Sequence, residues 1–162
     1  MIAVPLILLV EDREDDIFLV REAFERAKVP AAIQIVRDGD EAISYLSGTG
    51  RYSNRAEFPL PSLVLLDLKM PRVDGFEVLT WIRSQSGFGS LVVLVLTVSE
   101  DPGDVSYAYE LGANSFMVKS LEFRDATACA TMIDQYWLQR NSFPETFRRP
   151  RGQSGDRTNI RW

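Results

Sequence analysis

Five short apolar runs, Leu6 to Val10, Ile33 to Val36, Leu63 to Leu66, Leu91 to Leu96 and Phe116 to Val118, constrain what this 162-residue chain can become. They are rich in Val, Ile and Leu, too short for core helices, and lack the polar alternation of a sheet with one wet face. Strands buried on both sides read this way. The segments between them have helical period: Ile17, Val20, Phe24 and Ala27 make one stripe, and Phe76, Leu79 and Ile82 another. Shorter stripes at Ala42, Ile43, Leu46 and at Tyr107, Ala108, Leu111 add two more helices, the latter stopped by Gly112. A last helix is expected from Leu121 to Gln139. Strand and helix thus alternate through one domain. The spacing predicts an α/β, flavodoxin-like (βα)5 doubly wound parallel sheet of strand order 2-1-3-4-5.

In such folds ligands bind beyond the carboxyl ends of the strands, beside the first and third. The residues there are not apolar. Leu63-Val64-Leu65-Leu66 runs into Asp67, and Leu6 to Val10 runs into Glu11-Asp12. Thr97 ends the fourth strand and Lys119 the fifth. Carboxylates crowded at one edge raise one another's pKa and destabilise a fold unless a cation joins them. Oxygen ligands with positions left for water and phosphate suit Mg²⁺. A carboxylate nucleophile at Asp67, metal-holding carboxylates at Glu11 and Asp12, the Thr97 hydroxyl and the Lys119 ammonium make a set suited to phosphoryl transfer.

Composition narrows the alternatives. The chain has no histidine, which removes Ser-His-Asp and Cys-His mechanisms, most zinc sites and a histidine phosphocarrier role. Its single cysteine, Cys129, forbids an intrachain disulfide and fits a reducing cytoplasm. The apolar start lacks a basic leader, contains Pro5 and runs into acids, so it does not read as a signal peptide. No run is long enough to cross a bilayer. A net charge of -5 argues against general nucleic-acid affinity. The charge is divided, because everything after Phe147 is basic: Arg148, Arg149, Arg151, Arg157 and Arg161 against Asp156. The organisation expected is a globular body over residues 1–144 and a disordered basic tail over 145–162. Truncation after Pro144 tests whether that tail binds acidic surfaces or nucleic acid.

Taken together, Leu9-Val10-Glu11-Asp12, Leu65-Leu66-Asp67-Leu68-Lys69-Met70-Pro71 with Asp74-Gly75, Leu96-Thr97, Gly112-Ala113 and Val118-Lys119 resemble the receiver domain of two-component response regulators. The resemblance covers residues 6 to 139. It implies that Asp67 accepts a phosphoryl group from a sensor histidine kinase or a histidine phosphotransfer protein. It further implies that Glu11 and Asp12 hold Mg²⁺, Asp12 directly, that the Lys69 backbone carbonyl completes the protein's ligands, and that Thr97 and Lys119 bind phosphoryl oxygens. The long link from Ser47 to Pro61, Tyr136-Trp137-Leu138, and an end soon after the receiver resemble the stand-alone regulators that partner phytochromes. A homodimer through the fourth helix, fifth strand and fifth helix, near Tyr107, Phe116 and Trp137, is implied too. Two departures stand out. Ser120 follows Lys119 where most receivers have a cis proline, so a trans bond is expected. Phe116 occupies the switch-aromatic position without a hydroxyl.

Each residue alone has a plainer explanation: Glu11-Asp12 as a helix entry, Asp67 as a strand-end cap, Lys119 as a solvated end, Thr97 as a β-branched strand residue. Their coincidence at four strand ends favours the site. Glu14-Asp15-Asp16 is read as an acidic first turn, Cys129 as packing, and Gly48-Thr49-Gly50 as too sparse for a phosphate loop. A Mg²⁺-dependent aspartyl phosphatase would need an acid at position 69, where lysine stands. A flavin carrier would need a phosphate loop after the first strand, where acids stand. A phosphorylation-independent pseudo-receiver would lack part of the set, and all five positions are filled.

Overall fold

The computed structural model describes residues 4–120 and 122–148. Strands β1 (Leu6–Val10), β2 (Ala32–Val36), β3 (Leu63–Leu66), β4 (Val92–Thr97) and β5 (Ser115–Val118) form one parallel sheet of order 2-1-3-4-5. Helices α1 (Glu14–Arg26), α2 (Gly39–Ser47), α3 (Gly75–Ser84), α4 (Pro102–Glu110) and α5 (Phe123–Met132) complete the (βα)5 order expected. The strands begin or end within one residue of the apolar runs.

The two faces of the sheet follow from strand parity, since successive side chains point to opposite sides. Leu8, Val10, Val64, Leu66, Val93 and Val95 pack with α2 and α3 residues such as Leu46, Val78 and Ile82. Ile7, Leu9, Leu63, Leu65, Leu94 and Leu96 pack with Val20, Phe24, Ala130 and Ile133 from the α1 and α5 side. Two apolar cores thus sandwich one sheet. The middle strands are buried on both sides, which is why they read as unbroken apolar runs.

Three local features depart from expectation. The last helix is not one α-helix from Leu121 to Gln139. It is α-helical over Phe123–Met132 and widens to a π-helix over Ile133–Leu138; Leu121 lies outside the described residues. The link after α2 is packed rather than loose. Tyr52 of a 3-10 turn (Gly50–Tyr52) is buried against Tyr45 and Phe58, and Arg55 donates to the Tyr45 and Leu46 carbonyls at the end of α2. Finally, the packed body runs past residue 144: Glu145–Phe147 form a 3-10 turn, and Phe147 is 2% exposed, set against Phe88. The basic tail expected from 145 therefore starts no earlier than Arg148, and its remainder, 149–162, lies outside the described residues. No peptide bond among the described residues is cis, Lys119–Ser120 included.

Candidate functional site

The sheet positions the chemistry through hydrogen bonds that continue its ladder one residue past the strands. The Glu11 amide donates to the Val36 carbonyl (3.1 Å), the Asp67 amide to Val10 (3.0 Å) and the Lys119 amide to Thr97 (2.7 Å). Parity then decides which way each side chain leaves the rim. Glu11 continues Ile7 and Leu9, Asp67 continues Leu63 and Leu65, and Lys119 continues Met117, so all three turn toward the α1/α5 face. Thr97, in step with Val93 and Val95, is wholly buried beside them.

The loop after β3 is fixed from below by α3. Asp74 caps that helix in a reciprocal capping box with Glu77, and the Gly75 amide donates to the Leu68 carbonyl (3.1 Å). A Cβ on Gly75 would lie 2.2 Å from the Asp67 carbonyl oxygen, so glycine is what lets α3 seat this close.

Glu11, Asp12 and Asp67 each offer a carboxylate oxygen within 4.8 Å of the others. Glu11 is fully buried and Asp67 is 4% exposed. One ammonium answers them. Lys119 Nζ donates to Glu11 Oε2 and to Asp16 Oδ2 (3.2 Å), and lies 3.6 Å from Asp67 Oδ1. Burial pushes the Glu11 carboxyl up to about 7; the Lys119 hydrogen bond works against that shift and the nearby Asp67 charge adds to it. Burial also raises Asp67, against the opposing pull of Lys119, the Lys69 and Leu68 amides and the Thr97 hydroxyl. For Lys119 burial favours the neutral form, but Asp67, Glu11 and Asp16 more than offset it and hold the ammonium above its ordinary pKa. The site is over-supplied with negative charge.

Asp16 lies in the acidic first turn of α1, as expected, and in addition it is buried and paired with Lys119, which the sequence reading did not anticipate. The signal was its spacing: Asp16 precedes Val20 and Ala23 on the buried stripe of α1. Asp104, in the first turn of α4, is a second residue the sequence reading missed. It accepts hydrogen bonds from Ser99 Oγ (2.5 Å) and pairs with Lys69 Nζ (3.0 Å), two contacts that hold its carboxyl below the usual range. The Lys69 side chain thus leans away from the acids toward α4. The five residues picked out at the strand ends are brought together. For Lys69 the backbone amide is the group seen to reach Asp67.

Residues 7–130 match the response regulator receiver domain family. The chain belongs to that family. The receiver is 39% identical over 142 residues to the probable methanogenesis regulatory protein FilR2 of Methanothrix harundinacea (strain 6Ac), covering 86% of this chain and 87% of that protein. It is 37% identical over 139 residues to response regulator Rcp1 of Synechocystis sp., covering 86% of this chain and 92% of Rcp1. Among solved structures it resembles the phosphorylated cyanobacterial phytochrome response regulator RcpA, at 37% identity and a TM-score of 0.80, with 88% of this chain and 99% of that one covered. A structure of Rcp1 in its Mn²⁺-bound form superposes with a TM-score of 0.77 at 36% identity, over 86% of this chain and 99% of that one. The receiver is therefore a response regulator of the two-component type. No helix among its described residues is long and apolar enough to cross a membrane.

The residues present fit a divalent cation. Asp12 Oδ1 and Asp67 Oδ1 are buried without a hydrogen-bond donor, an arrangement that costs free energy unless a cation completes it. The donor set is all oxygen, the preference of a hard ion.

Proposed function

We propose that Asp67 is the phosphoacceptor of a phosphorylation-controlled interaction module. One observation carries the reading: three carboxylates crowd around one buried ammonium, and the oxygen of Asp67 nearest that ammonium has no hydrogen-bond donor. An Asp67 carboxylate oxygen forms the new O–P bond as the N–P bond of a donor phosphohistidine breaks, and the electron pair leaves with the imidazole nitrogen. Thr97 and Lys119 bind the transferred oxygens, which requires Lys119 to exchange some of its contact with Glu11 for the phosphoryl group. Glu11, Asp12 and Asp67, together with the Lys69 carbonyl, would hold Mg²⁺, whose charge neutralises the phosphoryl oxygens when it is bound. The domain catalyses only its own phosphorylation and hydrolysis.

The donor is a sensor histidine kinase or histidine phosphotransfer protein, with a phytochrome-like kinase favoured by the likeness to RcpA and Rcp1. The module works in the cytoplasm. Its output passes through the α4-β5-α5 face, where exposed Tyr107, Tyr109 and Val118 suit a homodimer. Light scattering with and without phosphorylation tests that arm: a monomer at every concentration would end it.

The deciding experiment is intact mass after incubation with Mg²⁺ and a small phosphodonor, with Asp67→Asn alongside. A gain of one phosphoryl group in the native protein alone is expected. No gain together with no metal binding would make the domain a phosphorylation-independent pseudo-receiver.

A further inference from the structure

We propose that Asp16 is a positioning residue for Lys119, the carboxylate that keeps the ammonium at the site when a dication occupies Glu11 and Asp67. This role rests on the reading of Asp67 as phosphoacceptor and falls to a residue outside the five at the strand ends. Lys119 has three N–H donors and faces three acids. Two of them are acids of the candidate metal site: Glu11, whose Oε2 accepts from Nζ, and Asp67, whose Oδ1 lies 3.6 Å away. The third is Asp16, which accepts from Nζ through Oδ2 at 3.2 Å and is not one of the three carboxylates grouped for a metal. A dication and the ammonium compete for the oxygens of Glu11 and Asp67, and two positive charges this close in a buried site repel. Asp16 serves the ammonium alone. It leaves Lys119 one contact to pivot on while Nζ exchanges Glu11 for a phosphoryl oxygen.

The surroundings show why such a contact is needed and that it is built for the purpose. Asp16 and Lys119 both line a cavity of about 430 Å³ between α1 and α5, with Val20, Met117 and Cys129 in its wall. A flexible lysine displaced from Glu11 has room there to turn away from Asp67, and the bond to Asp16 opposes that retreat. Of the three acids in the first turn of α1, Glu14 and Asp15 are exposed and only Asp16 is buried. The helix N-terminus favours a carboxylate at that position. Asp16 has one other ion pair among the described residues, to Arg13 Nε at 3.7 Å; the Arg13 side chain is 65% exposed, so solvent screens that contact. The buried partner of Asp16 is Lys119.

The test uses the full chain with Asp16→Asn, which keeps an oxygen for the Lys119 hydrogen bond and removes the charge. Asp15→Asn removes the same charge from the exposed neighbour. Mg²⁺ binding is measured by calorimetric titration, the Lys119 side-chain methylene resonances by NMR with and without Mg²⁺, and phosphoryl uptake by intact mass. Asp16→Asn is expected to weaken Mg²⁺ binding about tenfold, within the range of couplings between contacting groups. In Mg²⁺ its Lys119 resonances should collapse to the values of a solvated lysine, whereas those of the native protein stay dispersed. Uptake at saturating Mg²⁺ should slow about tenfold. Asp15→Asn should change Mg²⁺ affinity by less than about twofold. In a Lys119→Met background the effect of Asp16→Asn should shrink to about that size, because Asp16 acts through the lysine. Asp16→Glu, for which the cavity leaves space, should recover most of the loss and separates the missing charge from a disturbed fold. An equal loss without Lys119, or from Asp15→Asn, would make Asp16 a source of general negative charge and overturn the proposal. Unchanged metal affinity with unchanged Lys119 resonances would overturn it too, while uptake by the native protein left the reading of Asp67 standing. A native protein that binds Mg²⁺ but gains no phosphoryl group would end that reading instead, and the metal titration and Lys119 resonances would still decide on Asp16.

Discussion

Replacing Lys119 by Met should separate the two loads that this ammonium carries. The side chain is 5% exposed and pairs with Glu11, with Asp16 at 3.2 Å and with Asp67 at 3.6 Å. At an effective dielectric of about 20, each of the two longer contacts amounts to roughly 5 kcal/mol of attraction, much of it cancelled by the cost of burying the charges. Removal of one partner from a buried ionic group costs about 3–5 kcal/mol, because the partners stay behind unpaired. For a domain of this size each kcal/mol is worth about 2–4 °C, so Lys119→Met should melt roughly 6–20 °C lower without metal. The same change should strengthen Mg²⁺ binding, because an incoming dication no longer meets a resident cation beside Glu11 and Asp67. An increase of at least about tenfold, or 1.4 kcal/mol, is expected. Saturation at a hundred times Kd then returns about 2.7 kcal/mol, so the variant should gain more from Mg²⁺ than the native protein does at the same concentration. Thermal melts in chelator and in Mg²⁺, with calorimetric titration of the metal, measure both. If the melting point in chelator moves by less than about 2 °C and metal affinity is unchanged, the acids do not depend on Lys119 and the reasoning fails.

Other perturbations probe other parts of the structure. Glu11 is raised from 4.5 to about 7 in the folded protein, so its contribution is full below the unfolded value and lost as pH rises through 7. Metal-free melting temperatures should accordingly fall between about pH 5 and pH 8, and Mg²⁺ should flatten the profile. Phe147→Ala should cost about 1–3 kcal/mol, less than a central Phe→Ala change because the terminal turn can undock, and truncation after Pro144 should cost the same in thermal melts. An intact melting point in both would return the body's boundary to 144. Gly75→Ala puts a methyl group 2.2 Å from the Asp67 carbonyl oxygen, so a loss of about 1–3 kcal/mol and slower phosphoryl uptake by intact mass are expected.

How far the sequence reached depended on how far the signal was local. The sheet was legible because β1, β3 and β4 are buried on both faces and contain no polar residue before the rim; their ends therefore stood out as Glu11, Asp67 and Thr97. The Lys119 position followed from the same contrast. Asp16 was lost because an acid in a helix's first turn has a sufficient explanation in the helix dipole, and its burial depends on how α1 packs against the sheet. Asp104 was lost for a related reason, since its partners Lys69 and Ser99 come from two other loops. Phe147 sits among Pro, Glu and Arg with no periodicity to mark it, and its place in the core depends on tertiary packing that includes the ring of Phe88. The widening at Ile133–Leu138 is a change of backbone hydrogen-bond partner, and the spacing of Ile133, Trp137 and Leu138 reads as well for an α-helix, so the sequence does not mark it.

The two rims of the sheet are used differently. Every reactive side chain leaves from the carboxyl rim, where one inserted residue within a strand would reverse its side-chain parity and send Asp67 or Glu11 to the opposite face. The long connection through Gly50–Tyr52 returns to the amino rim, where the Ser62 amide bonds to the Leu6 carbonyl. Length added there changes no parity. Drift between related chains should therefore collect at that rim, and a reporter or tether spliced into it would leave the carboxylate cluster undisturbed.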